Sequence, residues 1–127
     1  MPAQVTSSRI LLLGVENADS TVAGVTTGTS IPVNREVDNL NAIILRSIGT
    51  TSGGTVLIEE ADWGPQEQVY SGTWSQIQSI AASTFSGTAQ LVLHITPSAM
   101  PYLRVRISAT ITGGGSIMAV ARSCGAA

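Results

Sequence analysis

His94 is the only histidine of this chain and Cys124 its only cysteine, so the groups that usually carry nucleophilic or proton-transfer chemistry are scarce. A nucleophile needs a base within hydrogen-bonding reach. His94 falls on the polar side of an alternating segment. Cys124 lies in a small-residue tail, Ser123 to Ala127, where it reads as a spectator thiol. The Gly-x-Ser-x-Gly turn of hydrolases is absent, and one His with one Cys cannot complete a structural zinc site. The densest acidic group, Glu59, Glu60, Asp62 and Glu67, lacks the alternating aspartate loop of a calcium site. Adjacent Glu59 and Glu60 would point to opposite faces of a strand. These acids read as a solvated strand end, with arginines of a neighbouring chain as a further use for them. Gly53 with Gly54, and Gly113 to Gly115, are followed by no helix and accompanied by no lysine, so they read as turns and not as phosphate cradles. No catalytic, cofactor-binding or metal-binding residue is assigned. The chain is expected not to be an enzyme and to need no cofactor.

The residues left over suit surfaces. Trp63, Tyr70 and Trp74 fall close together in sequence, beside Gln66, Gln68 and Gln76. Aromatic faces next to amides can stack on sugars, which makes a carbohydrate-binding module one reading. The other reading has the rings plugging the end of a sandwich or anchoring a protein interface. The arginines Arg9, Arg35, Arg46, Arg104, Arg106 and Arg122 are scattered along the chain, whereas a phosphate-tracking surface needs them concentrated. With a formal net charge of −2, nucleic acid is not the expected partner. Arg104 and Arg106 share one strand face, as solvated or cross-strand-paired side chains. Arg9, Trp63, Tyr70, Trp74, Arg104 and Arg106 are the candidate partner-contact residues.

The elements that must position these residues are short strands. In Tyr102 to Thr112, Leu103, Val105, Ile107, Ala109 and Ile111 alternate with polar residues, so one face is buried and the other wet. After the three glycines, residues 116–122 return with Ile117, Ala119 and Ala121 on one side and Met118 and Val120 on the other. That pattern suits a strand covered on both faces, and the glycines suggest a hairpin turn. Residues 88–96 alternate cleanly, and Pro97 and Pro101 bracket a loop because neither can donate to a ladder. Residues 41–48 and 55–61 read as a second hairpin across Gly49 to Gly54, with apolar residues on both faces in places. Residues 9–14 and 30–34 suggest two more strands. Residues 19–29, rich in Thr and Gly, are a long loop or a frayed strand. Residues 73–82 are ambiguous between a short helix, for which Thr73 and Gln76 would form a capping box, and a bent strand.

Together these segments predict an all-β fold, an antiparallel β-sandwich or jelly-roll-like barrel of about 6–8 short strands with at most one short helix. The 127 residues make one domain, with residues 1–8 as an N-terminal arm and residues 123–127 as a short tail. No apolar run approaches the roughly 20 residues of a membrane span. Residues 1–9 lack the charged start and apolar stretch of a signal peptide, so the chain is expected to be made and kept in the cytoplasm or released by lysis.

The composition sharpens this. The chain has no lysine and only 11% charged residues, against about 25% in a typical soluble domain. A solitary β-protein uses charge, lysine above all, to keep its sheet edges from pairing with neighbours. A chain that omits it is built to be paired or covered.

The last third, "PYLRVRISATITGGGSIMAVARS", and the preceding "SGTWSQIQSIAASTFSGTAQLVL" resemble the arginine-bearing strand, glycine turn and small-residue return strand of small β-sandwich structural proteins of tailed bacteriophages. That resemblance implies a virion protein without catalytic residues. A capsid decoration (cement) protein is favoured, with a neck, tail or fibre component as the alternative. It implies other copies of itself as partners, in a cyclic homo-oligomer with a trimer favoured, together with the major capsid protein or other virion proteins.

Overall fold

Alternation decides which side of each strand is buried, and the buried sides face one another. A computed structural model describes residues 9–16, 22–35, 40–64, 70–87, 90–95 and 100–123. The strands are β1 (Arg9–Leu13), β2 (Val15–Glu16), β3 (Val22–Ala23), β4 (Val33–Asn34), β5 (Ala42–Ile48), β6 (Gly53–Ala61), β7 (Ser75–Ala81), β8 (Gln90–His94), β9 (Tyr102–Thr112) and β10 (Ser116–Arg122), with a 3-10 turn at Ala82–Phe85 between β7 and β8. They form two four-stranded antiparallel sheets, ordered β1-β10-β5-β8 and β4-β9-β6-β7, and a small β2-β3 ribbon. The sheets do not close on each other among the described residues, so the expected all-β fold takes the sandwich form and not the barrel.

One core joins both sheets. Ile43, Leu45, Leu93, Ile117, Ala119 and Ala121 from the first meet Val56, Ile58, Ile80, Leu103, Val105 and Ile111 from the second. Each large side chain removed from water here contributes about 1.5–3 kcal/mol. Phe85, on the 3-10 turn and fully buried, plugs the side where β7 hands over to β8. Segments that looked apolar on both faces resolve by register. Ile43 and Leu45 point into the core and Ile44 points out; Val56 and Ile58 point in and Leu57 points out. β10 is buried on both sides as its sequence implied.

Both expected hairpins are corrected. β5 and β6 lie in opposite sheets, and so do β9 and β10. Each glycine link therefore crosses between the layers instead of turning within one. The link from β5 to β6 is tied down by Thr51, which is buried: its hydroxyl donates to the Ala82 carbonyl at 2.9 Å, and its N–H donates to Ser86 Oγ at 2.9 Å. Gly113, with φ of 108°, sits so close to this link that a Cβ would stand 2.6 Å from the Ser52 nitrogen.

Residues 73–82 are the bent strand and not the helix. β7 pairs with β6 through a bulge, Ile58 opposing Gln78 while Glu59 opposes Gln76. Ile, Ser and Gln are indifferent helix formers, and β6 offers a full ladder. The Thr- and Gly-rich stretch, where described, is neither a free loop nor a frayed strand. Val25 exchanges backbone hydrogen bonds with Ile117 of the first sheet. The Thr26 and Gly28 carbonyls then accept from Ile111 and Ile107 of the second, and Ser30 and Arg35 donate to Val105 and Pro101. Residues 25–35 thus strap one side of the sandwich, running from the edge of one sheet along the edge of the other. The expected N-terminal arm, residues 1–8, and the tail beyond Ser123 lie outside the described residues.

Candidate functional site

Where β6 ends and β9 begins, the second sheet gathers five of the six candidate contact residues onto its outer face. Glu59 stands outward on β6 because Ile58 beside it points into the core. Arg104 and Arg106 alternate outward on β9, with Arg104 directly opposite Glu59. Arg104 Nε donates to Glu59 Oε1 at 2.9 Å; Arg106 Nε donates to the same oxygen at 3.0 Å and its Nη2 to Oε2 at 3.3 Å. Glu59 is only 5% exposed. Burial alone would raise its pKa, but the hydrogen bonds and charges of Arg106 and Arg104 outweigh it and hold the carboxyl below the usual range. Reciprocally, the hydrogen bond to Glu59 and its charge raise Arg106 above its ordinary value.

Aromatic rings continue the patch. The Arg104 guanidinium carbon lies 4.1 Å from the centroid of Trp74. Trp74 packs against Tyr70 at 5.4 Å, Tyr70 against Tyr102 at 5.9 Å, and Tyr102 edge-on against Trp63 at 5.3 Å. A backbone bridge pairs Trp63 with Tyr70. The result is one continuous array, Trp63–Tyr102–Tyr70–Trp74–Arg104–Glu59–Arg106, locked by contacts of its own. Sequence reasoning did not single out Tyr102 and did not see Glu59 as the clasp. Tyr102 left a signal, since it stands on the polar side of the alternating strand that carries Arg104 and Arg106; Glu59, on a strand without arginine, meets them only through the β6–β9 register.

This arrangement limits what the patch can do. Its two cations already share an anion, so they are committed within the chain. Arg104 covers one face of Trp74, where a sugar platform requires an open ring. Trp63 and Tyr70, 36% and 41% exposed, remain available as rigid anchors for another surface. Glu59 and Glu60 find arginines of their own chain. Glu60 points the opposite way from Glu59, as adjacent strand residues must, and accepts from Arg35 Nη2 at 2.8 Å. Asp62 Oδ1 accepts the Trp63 N–H at 2.7 Å. Glu67, Gln66, Gln68 and Cys124 lie outside the described residues.

Arg9 is not part of this patch. It lies on the first sheet, paired in register with Arg122, and Arg46 and the exposed His94 share that sheet's outer face. The six arginines scattered in sequence are therefore sorted by the fold: Arg35, Arg104 and Arg106 in ion pairs around the second sheet, and Arg9, Arg46 and Arg122 on the outside of the first.

The sheet edges differ in how they are covered. β4 is two residues long and belongs to the strap. β1 and β8 have five residues each. β7 is the longest edge strand, with seven residues, Ser-Gln-Ile-Gln-Ser-Ile-Ala, of which only Ile80 is buried. It carries no charged residue and no proline. Its one defence is the bulge next to Ile77, itself a large apolar side chain 36% exposed.

No protein-family model matches the chain, and no curated protein sequence does. Among solved structures it is similar to the SPBc2 prophage-derived protein YomS, with 7% identity, a TM-score of 0.53, and coverage of 97% of this chain and 98% of that one. At such identity the likeness establishes a shared fold over nearly the whole of both chains and transfers no residue. Among the described residues no helix is long and apolar enough to cross a membrane.

Proposed function

We propose that this chain is a non-enzymatic structural protein of a bacteriophage virion, and within that class a capsid decoration (cement) protein. It acts mechanically: sheet edges and apolar patches join it to other copies of itself, in a cyclic oligomer with a trimer favoured, and to the major capsid protein or another virion protein. It is made in the host cytoplasm and ends in the virion.

The observation that carries this reading is the edge strand β7. A long, exposed edge without charge is a template for another strand, and free β-proteins blunt such edges with lysine, proline or cover. This chain has no lysine anywhere, and β7 has neither charge nor proline. A strand of a neighbouring molecule would satisfy that edge, which the bulge beside Ile77 only partly guards. The prophage-derived origin stated for the structural neighbour supports a phage source. The anchored rings of Trp63 and Tyr70 supply an apolar contact of the kind that concentrates binding energy at interfaces.

Mass measurement at micromolar concentration, paired with co-sedimentation on phage heads stripped of accessory proteins, tests the proposal. A stable oligomer that binds heads is the expected result. A permanent monomer without affinity for any virion part overturns it.

A further inference from the structure

The outer face of the first sheet carries a second arrangement that the candidate site does not use. The register places Leu11 opposite Val120, Val120 opposite Ile44 and Ile44 opposite Val92. An unbroken apolar row therefore crosses all four strands on the side away from the core. Val92 is 41% exposed and Ile44 is half-buried, whereas Val120 and Met118 on β10 are buried, so the open part of the row is Ile44 and Val92. On one side of the row, the next positions hold Arg122, Ala42 and His94; on the other side they hold Met118, Arg46 and Gln90. Residues on the same face of a strand repeat every second position, about 7 Å. An apolar channel thus runs between cationic groups on both flanks. A cleft of about 540 Å³, floored by Ile44 and Val92 and bordered by His94 and Arg122, opens along it.

Charge decides the occupant. Arg46 and Arg122 form no ion pair with a described residue, and the carboxylates of Glu59, Glu60 and Asp62 all belong to the second sheet or its end. Two copies stacked through this face would set arginine against arginine, and like charges across an interface are costly. A phosphodiester backbone would gain the arginines but would have to lie on an apolar floor. We infer that this face docks an acidic amphipathic segment of a different polypeptide, its apolar side chains on Ile44 and Val92 and its carboxylates on Arg46 and Arg122. The inference rests on the reading that the chain works through its surfaces, but the two fail separately, since assembly through β7 is read by mass and docking here by peptide binding.

The test uses fluorescence anisotropy of the full chain with three labelled probes: an amphipathic leucine–glutamate peptide, the same peptide with lysine for glutamate, and a single-stranded oligonucleotide. The leucine–glutamate peptide should bind at least about tenfold tighter than either other probe, and more weakly as salt rises. Reversing both exposed charges, Arg46→Glu with Arg122→Glu, should invert the preference between the peptides. The milder pair Arg46→Gln with Arg122→Gln should abolish it, and Val92→Asp should weaken both peptides. Equal binding of the two peptides, tighter binding of the oligonucleotide, no binding of any probe, or a preference unmoved by the charge reversal would each overturn the assignment.

Discussion

Arg104 lies 4.1 Å over the ring of Trp74 while its Nε donates to Glu59 at 2.9 Å, so one side chain joins the aromatic half of the second sheet's outer patch to its charged half. The planar guanidinium can stack and donate at once; a lysine ammonium on a flexible stem cannot do both as well. Arg104→Lys should lower stability by about 1 kcal/mol and shift tryptophan emission to the red as Trp74 gains water. Denaturant titration followed by fluorescence measures both.

The Glu59 clasp is asymmetric. Glu59 is buried, while the Arg104 and Arg106 side chains are 21% and 37% exposed. Removing both arginines strands a buried anion and should cost about 3–5 kcal/mol. Glu59→Gln leaves cations that water can reach and should cost distinctly less. The pH dependence follows from the direction of the shift. Because the folded carboxyl titrates below its ordinary 4.5, its contribution is complete above about that pH and is lost as pH falls through the lowered folded value. Thermal melts between neutral and strongly acidic pH should therefore fall less steeply for Glu59→Gln than for the parent below about 4.5.

Arg35 is a charge held inside the sandwich. It is 6% exposed; its Nε donates to the Met100 carbonyl at 3.0 Å and its Nη2 to Glu60, while Nη1 has no hydrogen-bond partner. Glu60→Ala leaves this guanidinium uncompensated, and a loss of about 3 kcal/mol is expected. The paired change Arg35→Met with Glu60→Leu should recover most of it, because apolar replacement of a buried ion pair is often neutral. Chemical denaturation of the single and paired variants provides the comparison.

The glycine links give a graded test. Gly113 and Gly114 both have positive φ, 108° and 92°, but a Cβ on Gly114 would meet open space whereas one on Gly113 would meet the Ser52 nitrogen. Gly114→Val should cost only the backbone strain, about 1–3 kcal/mol, and Gly113→Ala should cost more than Gly114→Ala. Equal melting temperatures for the two alanine variants would contradict the close crossing of the two links.

Strands and their faces were legible because alternation is a local signal. Leu103 and Val105 point into the core, and Leu93 and Ile95 do the same, as their spacing implied. Sheet membership was not legible. A glycine turn between two alternating strands looks the same in sequence whether the chain folds back beside itself or crosses to the other layer, and β5–β6 and β9–β10 both cross. Residues 30–34 were expected as a strand, of which Val33–Asn34 pairs in register; the first part of the strap, residues 25–28, was hidden because it is tied by backbone bonds to distant strands, which leave no pattern in side-chain type. In the patch, the types of Trp63, Trp74 and Arg104 stood out, but their meeting depends on the β6–β9 register, and Arg9 fell on the opposite sheet for the same reason.

Hydrogen exchange at β7 tests the central claim most directly. In the native particle at micromolar concentration, the backbone amides of Ser75–Ala81 that point away from β6 should be protected. The protection should vanish in an Ile77→Lys variant, which places the missing edge charge and should run as a smaller species. Free exchange of those amides in the intact parent particle, with mass unchanged by Ile77→Lys, would contradict the account.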